Sequence, residues 1–256
     1  MGHERIGFLP KTESWNKIIS LLTQFNNDPK MISYIANQTL ENIRAIYKNI
    51  AYSESVIKAT KFLTVLALSA NENNQQQFLN NNGIEINKDI SEFTIACSIK
   101  NYIKTEDESL ELNKLVCDSL LETIAKYEHK NRNDQKMLFN EQNVNIWRTI
   151  GNGSSFCELA RFFIASFTDR HLRYYIDREA AHSINSFNKF DEFRRALNDQ
   201  VAQHSFETSK IMQSFAAGWF NKNAKDGIPN DNEIISFLKL SFEKMREEFR
   251  REATKA

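Results

Sequence analysis

At 256 residues, with 41% hydrophobic content and 19 Phe, the chain holds ample material for one large or two small packed cores, which excludes a disordered body. Its 33 basic and 33 acidic residues cancel, so no global field favours nucleic acid, an anionic membrane or a strongly acidic substrate. Cys97, Cys117 and Cys157 form an odd set without paired spacing, which excludes a disulfide scaffold, suits a reducing cytoplasm and reads as three core thiols.

No proline stands between Pro29 and Pro229, and only Gly83, Gly151, Gly153, Gly218 and Gly227 interrupt that stretch, so little there opposes a helix. A first helix is predicted from Thr12, with Trp15, Ile18, Ile19, Leu22 and Phe25 on one face, ending at Asn26-Asn27. Asp28 then caps a second helix, which opens on Pro29 and buries Ile32, Ile35, Leu40, Ile43, Ile46, Tyr47 and Ile50. A third apolar helix carries Val56, Phe62, Leu63, Leu66 and Ala70, and a short one in the Asn- and Gln-rich segment stops at Gly83. Asp89 with Glu92 reads as a capping box for the helix through Cys97, Ile99 and Ile103. The next helix turns Leu112, Leu115, Val116, Ile124 and Tyr127 inward, and the polar run Lys130 to Gln135 is the best boundary between subdomains 1–130 and 135–256, the alternative being one continuous domain.

In the second half a short helix from Asn143 to Ile150 surrounds Trp147 and leads to the tight turn Gly151-Asn152-Gly153. Ser155 and Glu158 read as a capping box opening the most apolar helix, Phe156 to about Ile184. A second long helix is predicted over Asn188 to Asn221, and the last, from Asp231, spaces Ile235, Leu238, Phe242, Met245 and Phe249 in heptad fashion. The fold is therefore expected to be all-α, a globular bundle of about eight to ten helices with two long central helices in the C-terminal half. Its longest strongly apolar run, Phe62 to Ala70, falls far short of the ~20 residues a membrane span needs, so no membrane is expected.

Several constellations carry candidate chemistry. Gly153, Ser154 and Ser155 at a helix start can offer backbone N–H groups to an anion or a partner's carboxylate. Residues 129–256 hold 11 Arg among 20 basic residues, against two among 13 in residues 1–128, and Arg161, Arg170, Arg173, Arg178, Arg194 and Arg195 would form a phosphate-binding patch if they converge. Glu158, His204, Glu207 and Thr208 interrupt apolar helix faces and suggest a buried polar network between the two long helices. Glu179 and His182 give one half of the spacing used by di-metal bundles without a matching second half, so no metal and no cofactor is expected.

Helical ribonucleases of the HEPN family pair an Arg with a His that follows after four to six intervening residues; Arg178 and His182, with only three between, resemble that pairing as a near-miss, and the resemblance implies a ribonuclease centred on Arg178, His182 and His171. That is the alternative reading. The principal expectation is a non-catalytic cytoplasmic subunit or adaptor of a larger bacterial assembly, in the setting of a phage-defence or mobile-element cassette that the Asn- and Lys-rich composition suggests. Its partners would be other protein subunits or a second copy, met through the last helix, with nucleic acid unsupported by the net charge.

Overall fold

The computed structural model describes residues 6–24, 29–106, 108–138, 145–184 and 186–255. Among them the chain is all-α without a strand: α1 (Glu13–Thr23), α2 (Pro29–Asn42), α3 (Arg44–Asn49), α4 (Glu54–Ser69), α5 (Gln75–Asn81), α6 (Glu92–Ile103), α7 (Leu110–Leu138), α8 (Gly153–Ser183), α9 (Phe187–Thr208), α10 (Ala216–Asn223) and α11 (Asp231–Lys255). The expectations placed on Phe25 to Asp28, on Asn143 and on the Ile32 side chain lie outside the described residues.

The spine is the pair α7 and α8, which run antiparallel. Glu111 accepts the Tyr174 hydroxyl at 2.5 Å, Glu122 meets Arg170 at 2.6 Å, and Lys130 meets Glu158, so positions rise on one helix as they fall on the other. α8 occupies the middle of the molecule, against α1, α2, α4, α7, α9 and α10. Its first half is apolar nearly all round, as a central helix requires, and Phe156, Phe163 and Phe167 are buried there. The polar run 130–135 lies within α7, which continues through it without a break. Buried apolar side chains from both sides of that run belong to one contiguous core.

Two buried indoles are tied to carboxylates of the spine. Trp15 donates Nε1 to Glu179 Oε2 at 2.6 Å, and Trp147 donates Nε1 to Glu128 Oε2 at 2.9 Å. Each bond satisfies a polar group that burial would otherwise leave costly, by about 1–3 kcal/mol. Gly83, with φ of 82°, takes the left-handed conformation that stops α5, as its position after the Asn-rich helix predicts.

Local chemistry departs from the sequence reading at several points. Asn152, not Ser155, caps α8: its side chain accepts the Ser155 N–H, so Ser155 lies inside the first turn. The box at the start of α6 is built by Ser91 and Thr94, whose hydroxyls exchange bonds with each other's backbone N–H, in place of Asp89 and Glu92. The second predicted helix breaks at Ile43 into α2, α3 and a 3-10 turn, while Asn42 accepts from Ser14 at 2.7 Å and anchors α1. The long helix expected over Asn188 to Asn221 divides into α9, a 3-10 segment Ser209–Ser214 and α10. There the hydroxyls of Thr208, Ser209 and Ser214 bond to carbonyls three or four residues back, local competition that weakens a regular helix.

Two further expectations are corrected by burial. Cys157 is buried, but Cys117 is half-buried and Cys97 exposed, because α6 turns Ile95, Ile99 and Ile103 inward and leaves position 97 on its outer side. The stripe on α11 faces the molecule's own core: Leu238, Phe242, Met245 and Phe249 are buried, Ile235 is half-buried, and Phe242 packs edge-on against Tyr47 at 5.0 Å. The apolar circumference read as an assembly surface is covered from within.

Candidate functional site

Helical spacing assembles the site from three elements. Ala125, Lys126, His129 and Lys130 share one face of α7, and Glu158, Arg161 and Phe162 share one face of α8, by their three- and four-residue separations. Phe206 enters from α9. Together these side chains line a cleft of about 470 Å³, within the range of small-ligand pockets.

Arg161 sets the character of this cleft. It is only 9% exposed, its Nε has no hydrogen-bond partner, and among the described residues its guanidinium meets no carboxylate. It lies 5.2 Å from the centre of the Phe206 ring, which itself stacks on Phe162 at 5.8 Å with 12° between planes. A cation over an aromatic face gains about 0.5–2 kcal/mol, whereas taking a charge out of water costs several. The ring alone offsets only part of what burial of Arg161 costs, which leaves its charge available to a ligand of the cleft it lines.

The other charges of the cleft are compensated. Glu158 is held by Lys130 and by Asn131, whose Nδ2 donates to it at 3.3 Å. Lys126 meets Glu122 at 2.5 Å. Burial alone would raise the Glu122 carboxyl, but the Lys126 hydrogen bond and the charges of Lys126 and Arg170 outweigh it and hold the group below its usual range. Cys157, adjacent in sequence, has its thiol pushed up by burial, with the Arg161 charge opposing only in part, which disfavours the thiolate.

The remaining predicted residues do not converge. Arg170 is taken by Glu122, Arg173 by Asp169 and by Asn198 at 2.8 Å, and Arg195 by Asp191 at 2.9 Å. Arg178 donates to the Gly7 carbonyl at 2.9 Å and stacks over Tyr174, while Arg194 lies over Phe190 within reach of the Asp177 charge. The Arg set is thus distributed over internal partners rather than gathered into a phosphate-binding patch. Gly153 is closed by packing: a Cβ there would stand 2.8 Å from the Ala217 carbonyl oxygen, and Ser154 and Ser155 belong to the capped first turn.

The members of the expected polar network between α8 and α9 turn to different partners. Glu158 turns to α7, Glu207 pairs with Lys210 at the surface, Thr208 bonds to the His204 carbonyl at 2.7 Å, and the His204 ring packs edge-on against Phe249 at 4.5 Å. The ribonuclease arrangement is not assembled either. His171 is fully buried among Tyr47, Phe167 and Tyr175, and burial lowers it to about 3, whereas exposed His182 turns Nδ1 to the Arg178 carbonyl at 2.7 Å. Both Glu179 oxygens are engaged, by Trp15 and by Ser183.

Lys126, His129 and Lys130 were not singled out in the sequence, because the run from Lys130 read as a boundary. The signal was present: two lysines at four-residue spacing beside Ala125, on a helix whose neighbour carries Arg161. Comparison with known proteins finds no matching family model, no matching curated protein and no matching solved structure.

Proposed function

We propose that this chain is a non-catalytic binding protein, acting as a cytoplasmic subunit or adaptor of a larger assembly, and that its recognition element is the cleft between α7, α8 and α9, where Arg161 receives an anionic group. One observation carries this reading: an arginine nine-tenths buried, its Nε unpartnered and without a carboxylate partner among the described residues, in a cleft rimmed by Lys126 and Lys130. Three free cysteines are in keeping with a reducing compartment. The assembly part draws on Phe8, Phe93 and Phe187, all strongly exposed aromatic side chains available for protein contact.

Calorimetric titration with inorganic phosphate tests the reading, using the wild type and Arg161→Met. The wild type is expected to bind saturably and to gain thermal stability with ligand. Methionine keeps the apolar stem beside Phe206 and removes the charge, so it should abolish binding while leaving the unliganded protein as stable as before, or up to about 1 kcal/mol more stable. A phosphate affinity equal in both proteins, or no binding to the wild type, contradicts the proposal.

A further inference from the structure

The cleft holds more information than the charge of its ligand. Its lining includes the Phe162 and Phe206 rings, which stack on each other, with Ala125 among the other lining residues, and its cation lies over the Phe206 ring. Lys126 and Lys130 already have carboxylate partners in Glu122 and Glu158, so Arg161 is the group left to meet the anion. A ligand that satisfies both features carries its apolar body and its negative group side by side.

We infer that the cleft binds a small aromatic anion, a planar ring bearing a phosphate or carboxylate directly, with the ring against Phe162 and Phe206 and the anionic group on Arg161. This rests on the anion-binding reading above and adds the chemical class. Three physical arguments support it. Flat aromatic surfaces favour a flat partner, by offset or edge contact. The guanidinium carbon lies 5.2 Å from the Phe206 centroid, in contact with the ring, so a ligand that uses both must carry its charge close to its apolar body. A guanidinium is planar, binds phosphate or carboxylate through two parallel donors, and stacks on rings, so one side chain serves both halves of such a ligand.

The neighbouring Glu158 refines the preference. Its carboxylate lines the same cleft and is held by Lys130 and Asn131. A second negative group on that side would have to compete with Glu158 for Lys130, so a ring with one anionic substituent fits better than one with two.

The experiment compares phosphate probes of graded shape by calorimetry on the full chain: inorganic phosphate, methyl phosphate, hexyl phosphate, phenyl phosphate and adenosine monophosphate. Phenyl phosphate is expected to bind about tenfold or more tightly than methyl phosphate, and more tightly than the hexyl and nucleotide probes. Phe206→Leu, confirmed as folded by circular dichroism, should erase the phenyl-to-methyl ratio and retain inorganic phosphate. Equal binding of phenyl and methyl phosphate overturns the aromatic class and leaves the anion reading standing. Hexyl phosphate or adenosine monophosphate binding as tightly as phenyl phosphate overturns the planar ring or its direct attachment to the anion, respectively. Failure of every probe, inorganic phosphate included, overturns both readings. The wild-type comparison stands without the variant.

Discussion

A buried histidine with two unpartnered ring nitrogens is the residue whose burial has the clearest thermodynamic consequence. His171 has no exposed surface, and the rings of Tyr47, Phe167 and Tyr175 that surround it offer no charge to stabilise an imidazolium. Burial therefore lowers it to about 3, well under the ordinary value of 6.5. The unfolded chain takes up this proton as pH falls through its ordinary value and the folded chain does not, so stability is full above that value and declines below it, with a slope of at most about 1.4 kcal/mol per pH unit. Asp169 and Asp177 act in the opposite sense: burial raises both, against the opposing charges of Arg173 for the first and of Arg194 and Arg173 for the second, so they favour the folded state as acidity increases. Their effect carries the opposite sign, so a loss of stability in the interval just below the histidine's ordinary value belongs to the histidine. His171→Phe should flatten the loss of stability in that interval, as read from urea midpoints; an acid limb identical to the wild type contradicts this account of the buried ring.

Helices were legible where apolar spacing was unambiguous, and their ends were not. Trp15, Ile18 and Leu22 on α1, and Phe156, Phe163 and Phe167 on α8, are buried as their spacing predicts. Caps depend on one side-chain torsion, and Asn152 and Ser155 both belong to the residue types that cap; only the geometry shows that Asn152 Oδ1 reaches the Ser155 N–H at 2.9 Å. The difference is measurable. Asn152→Ala should cost about 0.5–2 kcal/mol and Ser155→Ala clearly less, by chemical denaturation; a larger loss at Ser155 would return the cap to that residue. The division of α9 from α10 was hidden for a similar reason. Ser209 and Ser214 fall within an apolar pattern of helical period, and the competition of their hydroxyls for nearby carbonyls is invisible to periodicity. The α11 stripe was seen correctly as apolar, but sequence cannot say whether such a face meets its own core or another chain.

At the scale of the whole molecule, packing decides which charged residues are left with something to bind. Six arginines looked equivalent in the sequence; antiparallel docking of α7 on α8 gives Glu122 to Arg170, while Asp169 on α8 itself serves Arg173. Arg161 comes to rest between an aromatic ring and a cleft. The candidate site therefore could not be read from any one segment, because it exists only where α7, α8 and α9 meet. Its anion preference follows from the imbalance between what burial of a guanidinium costs and what the Phe206 ring returns.

A co-crystal structure with 4-bromophenyl phosphate, phased for the anomalous signal of bromine, tests that central claim most directly. The account predicts bromine density within the cleft, the ring against Phe206 and phosphate oxygens within hydrogen-bond distance of the Arg161 guanidinium. Bromine bound reproducibly elsewhere, or an empty cleft at saturating ligand, would contradict it.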